Sequence, residues 1–404
     1  MRILAPFLLV GAIVTPASAA IDIGASGYID LRLVAPLDER SWLDGGLGKT
    51  RYGKGDSNFQ FAGAVGQGYV LFSPEIMVSA TARAEPEQKN AVDLLESYVR
   101  YRPVSTNAWR WSVKAGAFFA PFSLENTEIG WSSYWTITPS AINSWFGQEL
   151  RTVGAEGTAD WRTDEGTLEF IAAAFGWNDP AGVMIADRGW TMDDTPTSLF
   201  DHLREPDATV LLFGGKPPDH TPIFEELDNN AGWYTGVSWD DAGGWHLEVE
   251  RYDNEGDPSA HHEDYFAWRT HFWNAGFSWR NGEFSVISQA LTGNTAIEPF
   301  AGFTSTTDFD SAYLLGGWER GEWRLALRGD WFRTKTHNNF GPSPLFSENG
   351  NAATAAVSWL PKDWVRLTGE VLWIESKRDE RIITGGDPSQ SGVQAQFSAR
   401  FYLE

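Results

Sequence analysis

From Gly27 onward, stretches of about ten residues carry apolar side chains at every second position and are separated by turn residues. The clearest runs from Trp364 to Trp373, where Val365, Leu367, Val371 and Trp373 alternate with Arg366, Thr368, Glu370 and Leu372. Trp323, Leu325, Leu327 and Trp331 alternate in the same way with Arg324, Arg328 and Asp330. Near the C-terminus Val393, Ala395, Phe397, Ala399, Phe401 and Leu403 alternate with Gln394, Gln396, Ser398, Arg400 and Tyr402. Successive side chains of a strand point to opposite faces, so a period of two with one oily and one charged face predicts half-exposed strands. Seven short turns, at 73–74, 103–107, 162–165, 240–243, 280–282, 319–321 and 361–363, alternate strictly with eight longer connections. The longer ones are 37–57, 85–91, 120–148, 177–230, 254–264, 294–306, 335–349 and 377–390. That alternation predicts sixteen antiparallel strands with both chain ends on the short-turn side.

No mature segment offers the roughly 18 consecutive apolar residues of a helical membrane span. A barrel strand needs none, since only alternate residues meet lipid. Nine tryptophans, Trp109, Trp161, Trp239, Trp245, Trp279, Trp318, Trp323, Trp359 and Trp364, fall within a few residues of a short turn. Indole joins an apolar body to one polar N–H and prefers the membrane–water boundary. The expected fold is therefore all-β, a 16-stranded antiparallel transmembrane β-barrel, with short turns periplasmic and long loops outside. A soluble β-sandwich or propeller would not concentrate tryptophan beside its turns.

The N-terminus adds a compartment. Arg2, the apolar run Ile3 to Val14 and the small residues Ala17, Ser18 and Ala19 have the build of a secretory signal peptide. Residues 1–19 are expected to be removed, leaving 20–404 as one barrel domain in the bacterial outer membrane, in contact with outer-membrane lipid and lipopolysaccharide. Loss of Arg2 takes the net charge from -23 to -24, which disfavours nucleic acid as a partner. With no cysteine, disulfides, thiolate metal sites and cysteine nucleophiles are excluded. The outward face of 59–84 offers small residues, Gly63, Ala80 and Ala82 beside Phe61 and Val78. Such a sector suits close subunit contact and points to a homotrimer.

The third long connection is too aromatic for a solvated loop, with Trp131, Tyr134, Trp135 and Trp145. Folded into the barrel, it would narrow the lumen and offer Glu125 and Glu128 to the passage. Its first strand and start read Gly116-Ala-Phe-Phe-Ala-Pro-Phe-Ser-Leu-Glu125, followed by Gly154 to Thr158 on the next strand. This run resembles the signature of the phosphate-selective porin O and P family, in which a similar segment ends one strand and enters the constriction loop. The resemblance is specific over 109–161 and implies a trimeric sixteen-stranded barrel with an inward-folded third loop. It also implies passive diffusion of small hydrophilic solutes or ions, without enzymatic activity.

In those porins arginine and lysine clusters supply hydrogen bonds to phosphate oxygens. The lumen candidates in this chain are Arg100, Arg102, Arg110, Lys114, Arg328 and Arg366, accompanied by Arg32, Arg83, Arg324 and Arg400. Asp30, Glu96, Glu156, Glu169, Glu248, Glu250, Asp330 and Glu370 interleave with them, so cross-strand pairing competes with solute binding. Gly45-Gly-Leu-Gly-Lys-Thr50 ends like a phosphate loop, but Leu43 stands where its first glycine belongs. His261, His262, Glu263 and Asp264 read as a solvated loop. The longest connection, 177–230, carries Asp187, Asp193, Asp194, Asp201, Glu205, Asp207, Glu225, Glu226 and Asp228. It is expected outside the membrane, where loosely bound Ca²⁺ or Mg²⁺ would bridge it to lipopolysaccharide; no other cofactor is expected. Two rival readings survive at this level, a barrel hydrolase and a surface receptor or adhesin held by its barrel.

Overall fold

The computed structural model describes residues 21–215 and 217–403; the signal-peptide reading of 1–19 lies outside them. Sixteen long strands form the wall. They are β1 (Asp22–Ala35), β2 (Phe59–Leu71), β3 (Ile76–Ala84), β4 (Val92–Tyr101), β5 (Trp109–Phe118), β6 (Thr152–Arg162), β7 (Gly166–Gly176) and β8 (Gly232–Asp241). Then follow β9 (Trp245–Asp253), β10 (Arg269–Asn281), β11 (Phe284–Phe300), β12 (Phe303–Arg320), β13 (Trp323–Asn338), β14 (Glu348–Lys362), β15 (Val365–Arg378) and β16 (Ser389–Leu403). Each pairs antiparallel with its sequence neighbours, and β1 closes on β16 from Gly27 opposite Leu403 to Ala35 opposite Ala395. Closure leaves no unpaired edge, the condition for a sheet in lipid.

The period of two is visible in the burial. Along β14 buried and exposed residues alternate strictly from Glu348 to Trp359. The exposed set carries the aromatic rim. Trp109 stacks on Trp161 across β5–β6, and Trp323 on Trp359 across β13–β14, with ring centroids 6.1 and 5.9 Å apart. The indole N–H of Trp359 donates to Glu322, and that of Trp318 to Glu283, both at 3.0 Å and both in the short turns. These bonds fix the rings at the level where hydrocarbon gives way to water.

Three expectations are corrected. The segment 294–306 is no loop: β11 and β12 run on as one long hairpin that turns at Ala301-Gly302, where Gly302 takes a φ of +81°. Thr and Phe side chains there keep the β pattern beyond the membrane, so the strands simply continue. Gly63 does not face outward. It sits at a β-bulge, where the register of β1 against β2 jumps between Asp30 and Leu31, and the outward small residues are Gly66, Gly68, Ala80 and Ala82. Finally, 177–230 is not a purely external loop, as described next.

Candidate functional site

The inward loop begins where β5 ends. Gly116 has a φ of +139°, and a Cβ on it would lie 2.3 Å from the carbonyl oxygen of Ser97, so the close approach of β4 and β5 requires glycine here. Pro121 cannot donate to the sheet, and the chain leaves the wall. Phe122 then inserts into the barrel. Its ring lies 5.0 to 6.4 Å from those of Tyr234, Phe146, Phe272 and Tyr252, and its carbonyl accepts from Asn274 and Gln289 of the wall. The Ser123 hydroxyl accepts from the backbone N–H groups of Glu125 and Asn126 and turns the chain.

Glu125 closes this motif. Arg328 of β13 donates from Nη1 to Glu125 Oε1 at 2.5 Å, and both side chains are fully buried. Arg328 also donates to Asp330 at 2.8 Å, to the Thr138 carbonyl at 2.8 Å and to the Pro139 carbonyl at 3.0 Å. The second oxygen of Glu125 accepts from the Ser140 N–H at 2.9 Å and from Asn143 Nδ2 at 3.2 Å. Ser140 caps the helix α1 (Ala141–Glu149) by accepting from the Asn143 N–H, so the carboxylate also lies at the positive end of that helix. Glu370 of β15 accepts from the N–H groups of Ile137 and Thr138, and Trp135 packs on Gly317, where no Cβ stands in its way. Glu125 therefore does not face the passage; it pins the loop to the wall.

Glu128 is the carboxylate that the loop presents to the arginine side. It meets Arg366 at 2.9 Å and lies 3.9 Å from both Arg324 and Arg400. Arg400 is held in turn by Asp30 at 3.0 Å, and Arg324 by Glu319 at 3.1 Å. Tyr134 lies under the Arg324 guanidinium, 3.6 Å from ring centroid to carbon.

The second inserted segment was not foreseen. Beyond helix α2 (Val183–Asp187), residues 188–198 run inside the barrel, most of them buried. Arg32 of β1 holds both carboxylate oxygens of Asp194, Arg51 lies 3.5 Å away, and Arg83 of β3 donates to the Asp194 carbonyl at 3.2 Å. Three buried guanidiniums demand counter-anions; Asp30 serves Arg32, Glu85 and Glu87 serve Arg51, Glu85 also serves Arg83, and Asp194 adds a further carboxylate to Arg32 and Arg51. Trp190 packs 6.0 Å from Trp145 and donates its indole N–H to the Arg333 carbonyl. Glu149, at the end of α1, accepts from the N–H groups of Gly182, Met184 and Ile185 and so joins the two insertions. Burial pushes its carboxyl up to about 7 despite the neighbouring Arg188. A sequence signal existed: Met184, Ile185, Trp190 and Met192 make this stretch too apolar for a solvated loop.

Arg100, Arg102, Arg110 and Lys114 form a separate group near the short-turn end of β4 and β5. Arg110 pairs with Asp160 at 2.5 Å and Lys114 with Glu156 at 2.9 Å across the β5–β6 ladder. In a closed ring of sixteen, strand n faces strand n+8. Glu169 on β7 thus lies across the lumen from Arg366 on β15, and Glu248 and Glu250 on β9 from Arg32 on β1, with Glu156 and Asp160 on β6 and Arg400 on β16 on the flanking strands. His246 of β9 is bounded on both ring nitrogens, by Asp240 at 2.7 Å and Glu248 at 3.2 Å. Among the described residues no histidine side chain meets a serine hydroxyl, so no Ser–His pair is assembled.

In the long connection after β7, buried Asp179 and half-buried Glu226 and Asp228 bring carboxylate oxygens within 4.8 Å of one another. Burial, with Asp228 and Glu226 beside it, pushes Asp179 up to about 6. This trio could hold a hard divalent cation by its oxygen ligands. Lys49 of the phosphate-loop lookalike is committed to Glu348 at 2.6 Å, and His261 and His262 lie on an exposed two-residue strand.

No family model matches the chain, and no curated protein does. Solved structures do. OmpT, an outer membrane protein of Vibrio cholerae folded in vitro, superposes with a TM-score of 0.55 at 9% identity, over 96% of this chain and 99% of that one. The outer membrane channel DcaP of Acinetobacter baumannii gives 0.55 at 10% identity, covering 96% and 99%. Salmonella typhi OmpF, in complex with daunomycin, gives 0.54 at 10%, covering 94% and 97%. The chain has the porin-like barrel fold.

Proposed function

We propose that the protein is an outer-membrane porin, a passive channel through which small hydrophilic solutes or ions move down their gradients. The observation that carries this reading is the interior: an apolar, tryptophan-rimmed wall encloses opposed charged rows, and an inward loop presents Glu128 to one of them. A polar lining lowers the cost of leaving water, and opposed rows orient polar solutes in a transverse field. Proteoliposomes are expected to swell in a small sugar and not in an oligosaccharide; absence of swelling in every solute refutes the reading.

In its finer form the preference is for anions of phosphate type. Support comes from the resemblance through Gly116–Glu125 and from Arg324, Arg366 and Arg400 converging on Glu128, while Glu125 is neutralised by Arg328. A reversal potential of the anion-selective sign in a potassium chloride gradient supports it, and the cation-selective sign overturns it. A homotrimer is part of the same proposal, supported by the small outward residues of β2 and β3. The hydrolase alternative finds no support at His246, whose two nitrogens face carboxylates.

A further inference from the structure

Four neighbouring strands near the short-turn end line a cavity of about 230 Å³, room for about seven waters. The strand register arranges its charges in two rows. Arg100 of β4 stands opposite Lys114 of β5, which stands opposite Glu156 of β6; two inward rows nearer the turns, beyond Ser112 opposite Thr158, Arg110 stands opposite Asp160, which stands opposite Glu169 of β7. The middle of this wall is self-neutralised by the Lys114–Glu156 and Arg110–Asp160 pairs. Its two banks are not. Among the described residues, neither Arg100 nor Arg102 has a carboxylate within ion-pair distance, and Glu169 has no cation of its own, its carboxyl group lying against that of Asp160, the partner of Arg110.

We propose that this cavity binds a small zwitterion of dipeptide size, its carboxylate on Arg100 and Arg102 and its ammonium on Glu169. The banks are three strand spacings apart, about 14 Å between backbones, and both sets of side chains reach into one cavity. An α-amino acid carries its charges on adjacent groups; a dipeptide separates them by a further residue, about 3.5 Å more. Separated charges match separated banks, and the neutral centre of the wall, with Ser112 and Thr158, suits a peptide group. A simple anion would satisfy one bank and leave Glu169 facing it. The proposal deepens the channel reading by naming a solute class, but the binding chemistry stands apart from conduction.

The test is saturation-transfer NMR on the full detergent-solubilised chain with three probes. These are glycylglycine, N-acetylglycylglycine, which keeps only the carboxylate, and glycylglycine amide, which keeps only the ammonium. Glycylglycine is expected to bind at least roughly tenfold more tightly than either half-probe, the order of one charge-assisted contact. Glu169→Gln should abolish the preference over N-acetylglycylglycine, and Arg100→Gln with Arg102→Gln the preference over the amide. Ser112→Phe, which fills the cavity without altering charge, should block all three. Equal binding of N-acetylglycylglycine and glycylglycine by the native chain, or no binding of any probe, overturns the proposal. Binding without conductance would instead overturn the channel reading, so the two failures are distinguishable.

Discussion

Replacing Glu125 by Gln keeps its shape and removes its charge, and so isolates what pins the inward loop. Every partner of this carboxylate is a donor: Arg328 Nη1, the Ser140 N–H, Asn143 Nδ2 and the Thr136 hydroxyl. A Gln amide turns its NH₂ toward one of these sides, placing donor against donor in a fully buried site. Breaking one partner of a fully buried pair costs about 3 to 5 kcal/mol. Arg328 keeps Asp330 at 2.8 Å, which puts the cost at the lower end, about 3 kcal/mol. At 25 °C that is a rise of about 150-fold in the detached population of the loop. Hydrogen exchange of the α1 amides should accelerate by that order, and channel current should become noisier. Replacing Glu125, Arg328 and Asp330 together by apolar residues should recover much of the protection, because only then is no lone charge of this cluster left buried. Unchanged α1 exchange in Glu125→Gln refutes the pin.

Acidity should tighten the insertions. Burial pushes Glu149 up to about 7 and Asp193 up to about 6, so the docked loops hold these protons more firmly than undocked ones. The stabilisation is complete below pH 4.5 for Glu149 and below 3.8 for Asp193, and is lost as pH rises through 7 and 6 respectively. Exchange of the α1 amides, corrected for intrinsic rate, should be slower at pH 5 than at pH 8; the reverse order contradicts the burial argument. Calcium added after chelator treatment should raise the melting temperature of the native chain and not of Asp179→Asn, and equal responses rule out that trio as the cation site. Ala80→Trp on the outward small-residue face should cost about 1 to 3 kcal/mol of subunit packing and shift a cross-linked trimer toward monomer, whereas an unchanged pattern removes this face from the interface.

The wall was legible because its signal is local: alternation sets the strands, turn residues punctuate them, and indoles mark the rim. The inward third loop was legible from its aromatic content and from the run Gly116–Glu125. The role of Glu125 was not, since burial depends on Arg328, 203 positions away. For the same reason Asp194 read as one more surface carboxylate, although Arg32, 162 positions earlier, draws it inside. Long-range ion pairs leave no periodicity. The hairpin of β11 and β12 was missed for another cause: polar threonines and Gly302 resemble a loop once a strand passes beyond lipid and both its faces meet water.

Purified chain reconstituted into a planar bilayer tests the central claim most directly. Discrete conductance steps that grow in amplitude when the constriction is relieved, by deletion of 126–144, are the predicted result. A silent membrane at every voltage, for both the native chain and the loop-deleted one, would contradict it.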